Sequence, residues 1–195
     1  MIKILFMGTP DFAVNSFRAL CREFSVVGVL TQPDKPKGRG YEMAMSDVKK
    51  LALEKNIPVH QPVTLKDGAI LPILEEYRPD IIVVVAYGQI LPEYVLNFPK
   101  YGCINIHGSL LPKYRGAAPI QRAVIDGEKV SGVTSMYMEK GLDTGDMLIK
   151  RELPISREAT AGEYHDALAV LGGSVLLETL DKINEGSLTP EKQND

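Results

Sequence analysis

Asn105 and His107 stand two positions apart where the apolar run Cys103–Ile106 gives way to a polar loop. In a strand, alternate side chains leave the same face, so an amide and an imidazole would lie side by side at the strand's end. An amide N–H can stabilise a developing oxyanion, and an imidazole can carry a proton near neutral pH. A carboxylate joins them from the segment GLDTGD, where Asp143 lies between Gly141 and Gly145, residues that let a backbone turn tightly and approach a ligand. Each residue alone has a plainer reading. Asp forms turns, Asn closes strands, and a single His is often structural. The catalytic reading rests on all three arriving at converging strand ends.

The elements that would position them form an α/β pattern. Ile2–Met7 reads as a first strand, followed by a turn at Gly8-Thr9-Pro10 in which Thr9 would cap a helix and Pro10 would open it. Ala13, Phe17, Leu20 and Phe24 recur at helical spacing, and Val26–Thr31 is a β-branched second strand. Strand, helix, strand without a hairpin signal is a βαβ unit and implies a parallel sheet. Further along, helices are expected over about 46–55 and 68–77, with a short strand near Val59 between them. Ile81–Ala86 is a continuous apolar run suited to a central strand covered on both faces. Cys103–His107, Val130–Met138 and Met147–Ile155 complete a sheet of about seven strands, with Pro154 placing the last at an edge. Helices are expected over 118–126 and from Thr160 onward, where Gly172-Gly173 would let the final helix approach the sheet closely. The end, EGSLTPEKQND, is polar and reads as a structureless linker. The whole predicts an open, mostly parallel, Rossmann-like sheet with helices on both faces. Such sheets bind ligands beyond the carboxyl ends of their strands, where the order reverses. That rule gathers 8–11, 87–92, 105–107 and 141–146 into one crevice.

Composition narrows the chemistry. The 195 residues suffice for one sizeable domain, and a net charge of −3 argues against a generally basic nucleic-acid binder. No run approaches a membrane span, the N-terminus lacks signal-peptide flanks, and the two cysteines form neither a disulfide framework nor a metal-ligand spacing. A cytoplasmic monomer without a metal is expected. Ser109 lies outside any nucleophile elbow, there is no Walker-type loop, and GTPDFA lacks two glycines of a dinucleotide fingerprint, so hydrolase, ATP and NAD chemistry are disfavoured. His60 and His165 read as incidental.

The loop QPDKPKGRG, residues 32–40, has two readings. It is a solvated connector, or Lys35, Lys37 and Arg39 form a basic finger near the crevice, with Lys113, Arg115 and Arg122 extending a basic rim toward a phosphate backbone.

Taken together, FMGTPDFA, TQPDKPKGRG, VVVAYGQILP, INIHGSLLPKYRGAAPIQRA and GLDTGDML closely resemble the methionyl-tRNA formyltransferases, a branch of the enzymes that use 10-formyltetrahydrofolate. NIHGSLLPKYRG and LDTG mark the wider family, whereas GTPDFA, QPDKPKGRG and GAAPIQRA point to the tRNA branch. The resemblance implies that Asn105, His107 and Asp143 are the catalytic trio. It implies that the folate lies against Tyr87, Gly88, Gln89, Ile90, Leu91 and Pro92, against Met138 and Leu142, and near Ser109, Leu110, Leu111 and Pro112. It also implies that the basic loop, Arg39 above all, meets the initiator methionyl-tRNA. Two features depart from the family: YEMAMSDVKK follows GRG where a Lys-rich stretch is usual, and residues 185–195 resemble the start of a linker to a second, β-barrel domain. Residues 1–184 would then be the catalytic domain. Transfer to a small amine such as glycinamide ribonucleotide or an amino sugar is the close alternative; a folate-binding module with little transferase activity is the other.

Overall fold

The computed structural model describes residues 2–37, 42–156 and 158–194. The chain runs β1 (Lys3–Gly8), α1 (Phe12–Glu23), β2 (Ser25–Leu30), β3 (Lys35–Lys37), β4 (Glu42–Ala44), α2 (Asp47–Glu54) and β5 (Val59–His60). After a tight helical turn at Lys66–Gly68 come α3 (Leu71–Tyr77), β6 (Ile81–Val85), α4 (Glu93–Leu96), β7 (Cys103–His107) and α5 (Pro119–Ile125). Two long strands, β8 (Val130–Tyr137) and β9 (Met147–Pro154), precede α6 (Ala161–Glu185).

Seven strands form one sheet in the order β5-β2-β1-β6-β7-β8-β9. The first five are parallel, and β8 and β9 are antiparallel additions. Alternation along the central strands explains why they are apolar throughout: Ile4 and Phe6 pack on the α1, α2 and α6 side, while Leu5 and Met7 pack on the α3 and α4 side. β6 divides in the same way, with Ile81, Val83 and Val85 on one face and Ile82 and Val84 on the other. Ile104 and Ile106 belong to the first core and Cys103 to the second, so Asn105 and His107 project on the face that carries α3 and α4.

The order reverses between β1 and β6, which puts the turn after Gly8 and the loop after Val85 on either side of a crevice. Thr9 joins them: its hydroxyl donates to Tyr87 O at 3.0 Å and accepts the Gln32 N–H at 3.3 Å. Thr9 is therefore not the helix cap expected from the sequence; Asp11 is, accepting the Phe12 N–H at 2.8 Å. α6 starts where expected, because Thr160 and Glu163 exchange hydrogen bonds in a capping box. Gly172 approaches the sheet at Ile106, and Gly173 packs against the α1 backbone at Asn15.

Two expectations are corrected. The segment 32–40, read as a loop, contains the strand β3, which pairs antiparallel with β4 just beyond it, Lys35 opposite Ala44 and Lys37 opposite Glu42. The polar C-terminal segment is docked: Glu191 and Met147 exchange two backbone hydrogen bonds of 2.8 Å along β9. None of the described helices is long and apolar enough to cross a membrane.

Candidate active site

Asp143 sits between the two side chains of β7. Its Oδ1 is 3.5 Å from Asn105 Nδ2, and its Oδ2 is 3.6 Å from His107 Nδ1. The Gly116 N–H donates to the same Oδ2 at 2.8 Å, which fixes the carboxylate. The far side of the imidazole is held too, with Nε2 at 2.9 Å from Tyr114 O. A carbonyl only accepts, so Nε2 carries a proton and Nδ1 is the nitrogen turned to the carboxylate. His107 is 7% exposed and the Asp143 side chain 13%, so their interaction is weakly screened. The separations of about 3.5 Å are those of a loosely engaged or water-bridged group, as is common before substrate tightens a site.

Asp143 reaches this place by a route that the parallel-sheet rule does not describe. β8 is antiparallel to β7, and its end, Tyr137, pairs with Ile104 near the start of β7. The loop after β8 thus leaves at the end opposite His107 and runs back along β7. Met138 N–H first bonds Cys103 O at 2.8 Å, and only later does Asp143 come level with Asn105 and His107. Gly145 permits the sharp return, since a Cβ there would lie 1.9 Å from Tyr137 O.

The trio opens on a cavity of about 620 Å³, lined also by Tyr87, Gly88, Gln89, Ile90, Leu91, Met138 and Leu142. A mainly apolar wall with a few convergent polar groups is the usual form of a small-molecule site. Ile90 and Leu142, 85% and 68% exposed, stand at its edge as large apolar side chains with little to cover them. Pro92 is not among the lining residues and precedes α4. Ser109, Leu110, Leu111 and Pro112 do not line it either. Ser109 Oγ donates to Lys113 O, Leu111 N–H donates to Thr134 Oγ1, and Leu111 packs with Met136 and Met147. These contacts shape the loop that presents Tyr114 and Gly116. Among the described residues, no group of three His, Cys, Asp or Glu side chains could hold a metal ion.

Residues 2–180 match the profile of a family described as Formyl transferase. The chain belongs to that family. A methionyl-tRNA formyltransferase of Clostridium novyi (strain NT) is 57% identical over 195 residues, covering all of this chain and 63% of that protein. One from Clostridium botulinum (strain Alaska E43 / Type E3) is 58% identical over 193 residues, covering 98% and 62%. The chain therefore spans somewhat under two thirds of the length of these relatives. The solved glycinamide ribonucleotide transformylase 1 of Symbiobacterium toebii superposes with a TM-score of 0.81 at 19% identity, covering 100% of this chain and 95% of that one, and so shares the fold.

This formyl transferase chain also brings to the cavity residues that sequence reasoning missed. Phe12 and the segment 116–121 line its other side, next to Pro10 of the expected 8–11 turn, with His165 beside Phe12 at a ring distance of 5.3 Å. Four non-glycine residues with positive φ lie at the site: Ala86, Tyr114, Ala118 and Asp143. Such backbone is costly for residues with a Cβ and collects where surrounding structure holds a functional geometry. Nothing in the local sequence announces it. Gln193 was missed as well, and it touches the Asp143 loop directly.

The basic residues of the formyl transferase chain divide into groups. Lys35 is exposed on β3, beside a smaller cleft of about 300 Å³ that shares Pro10 with the main cavity. Arg39 lies outside the described residues, as does the side chain of Lys37. Lys113 is engaged with Glu128 and lies over the Tyr114 ring, and Arg122 donates to Arg115 O. The expected basic rim is thus partly neutralised by its own neighbours.

Proposed function

We propose that the chain transfers the formyl group of 10-formyltetrahydrofolate to the free α-amine of initiator methionyl-tRNA in the cytoplasm, with Asn105, His107 and Asp143 as catalytic residues. The observation that carries the reading is the meeting of amide, imidazole and carboxylate, from two separate segments, in one largely apolar cavity. The methionyl-tRNA formyltransferases at 57% and 58% identity support this acceptor over a small amine. The cavity volume lies within the roughly 300–1,000 Å³ typical of small-molecule sites, which fits a pterin against the apolar side chains of Ile90, Leu91, Met138 and Leu142.

The folate supplies an activated formyl carbon bound to a nitrogen leaving group. As the amine adds to that carbon, negative charge grows on the formyl oxygen. Asn105 directs one N–H toward Asp143, and its second N–H is available to donate to that oxygen. His107, whose Nε2 proton is committed to Tyr114 O, has Nδ1 left to take the proton shed by the amine and pass one to the departing nitrogen. Asp143 orients the ring during that exchange. The carbon–nitrogen bond to the amine forms, the one to the folate nitrogen breaks, and one proton moves from the first nitrogen to the second.

The test is a formylation assay on this chain with 10-formyltetrahydrofolate, charged initiator tRNA and competing small amines. Formylated methionyl-tRNA as the dominant product is the expected result. Formylation of a small amine instead, or folate binding without transfer, would overturn the acceptor or the activity respectively.

A further inference from the structure

The segment after α6 ends in a three-way amide contact. Gln193 Nε2 donates to Asp143 O at 2.9 Å and to Gly145 O at 2.7 Å, and its Oε1 accepts from Arg115 Nε at 2.8 Å. Two carbonyls on one side and a guanidinium donor on the other leave a single consistent orientation for the amide. The contact joins the two segments that fix the catalytic side chains. On one side is the loop whose Asp143 faces Asn105 and His107. On the other is the strand of loop in which Tyr114 O holds His107, and Gly116 N–H holds Asp143. The Glu191–Met147 bridge, two residues before Gln193, brings the amide into register.

We propose that Gln193 is a positioning residue for formyl transfer, clamping the Asp143 loop to the Tyr114–Gly116 segment from a stretch of chain beyond the last helix. The inference rests on the functional reading of Asp143 given above and extends it. The loop needs such a clamp because it runs back along β7 with Asp143 at φ 53° and only spaced contacts to that strand. The chemistry of the contact requires an amide. A carboxylate of equal length would keep the Arg115 pairing but face two carbonyl oxygens with no hydrogen to offer. Alanine would lose all three bonds.

The experiment uses Gln193→Ala and Gln193→Glu in this chain, with two readouts. One is formyl transfer at saturating donor and acceptor. The other is amide hydrogen exchange at Gly116, whose N–H is protected only while Asp143 stays in place. The expected result for both variants is a kcat lowered about 10- to 100-fold, the scale of a slight misplacement of catalytic groups. KM values should stay within about threefold, and Gly116 exchange should be faster. Failure of the glutamate variant is the signature, because simple docking of the C-terminal segment would tolerate a side chain that still pairs with Arg115. A kcat within about twofold of the parent for Gln193→Glu, or unchanged Gly116 exchange in Gln193→Ala, would overturn the clamp. A parent chain that transfers no formyl group overturns the functional reading instead, and the exchange result then decides the clamp alone.

Discussion

Asp143 Oδ2 faces His107 Nδ1 at 3.6 Å while the ring's other nitrogen is held on Tyr114 O at 2.9 Å. The imidazole thus has an acceptor at each nitrogen. One is a fixed neutral carbonyl, and the other is a carboxylate whose charge matters most when the ring takes a second proton. Asp143→Asn keeps the shape and can still accept the Gly116 N–H, but it removes that charge and turns an NH2 toward Asn105 Nδ2 in place of the oxygen that accepts from it. Formyl transfer should fall by on the order of 10²-fold or more, with an unchanged unfolding midpoint. Single-turnover transfer and urea melts check both halves, and near-parent turnover would remove Asp143 from the mechanism.

Asn105→Ala deletes the N–H assigned to the formyl oxygen. Loss of one such donor costs on the order of 10²–10³ in rate. The effect should appear in kcat more than in the KM for the donor, because the bond strengthens only as charge develops. A variant that raises KM alone would show a ground-state contact instead.

Gly145→Ala tests the return of the loop along β7. The new methyl would lie 1.9 Å from Tyr137 O, a backbone atom that β8 holds in place. The loop must shift, and overpacking of this kind costs typically about 1–3 kcal/mol. Transfer should drop along with the melting temperature. Full activity would mean that Asp143 need not sit where the structure puts it.

Alkaline stability should report two buried acids on the α3 and α4 side of the sheet. Burial pushes the Cys103 thiol from its ordinary value of 9.0 up to about 12. Burial, with a smaller contribution from Tyr94, pushes the Tyr87 hydroxyl from 10.0 to about 12. Both folded values lie above the unfolded ones, so their contribution is complete below about pH 9 and is lost as pH rises toward 12. Denaturation midpoints should therefore fall across that window. Tyr87→Phe should lessen the fall. Because the Tyr87 hydroxyl is buried without a protein partner, the variant should also gain up to about 1 kcal/mol at neutral pH. A destabilised variant would reveal an unseen hydrogen bond there.

Under the proposed function, Lys35, exposed on β3 beside the cleft that adjoins the cavity, is assigned to a tRNA phosphate. Lys35→Ala should weaken tRNA binding and reduce the salt slope by about 0.7–0.9 for one lost phosphate contact. An unchanged slope would take Lys35 out of the interface.

Local pattern was enough for much of this protein. Hydrophobic period separated the buried strands from the amphipathic helices, and the Thr160 start of α6 follows from side chains that bond within one turn. Asn105 and His107 could be paired on paper because a strand's alternation is a local property. Asp143 was named for its glycine-flanked loop, yet the parallel-sheet rule supplied the wrong route for it. The direction of β8 depends on which edge it joins, and that choice is made by burial across the whole sheet. The β3–β4 pair and the docking of Glu191 on β9 escaped for a related reason: their pairing energy comes from partners that no residue within each strand or segment identifies. The backbone groups that hold the trio, Tyr114 O and Gly116 N–H, have no side-chain signature at all. Residue type therefore determined what chemistry was possible, since charge, hydrogen-bonding capacity and period travel with the chain. Which groups face each other, and which distant amide steadies them, was decided only when long-range packing closed the fold.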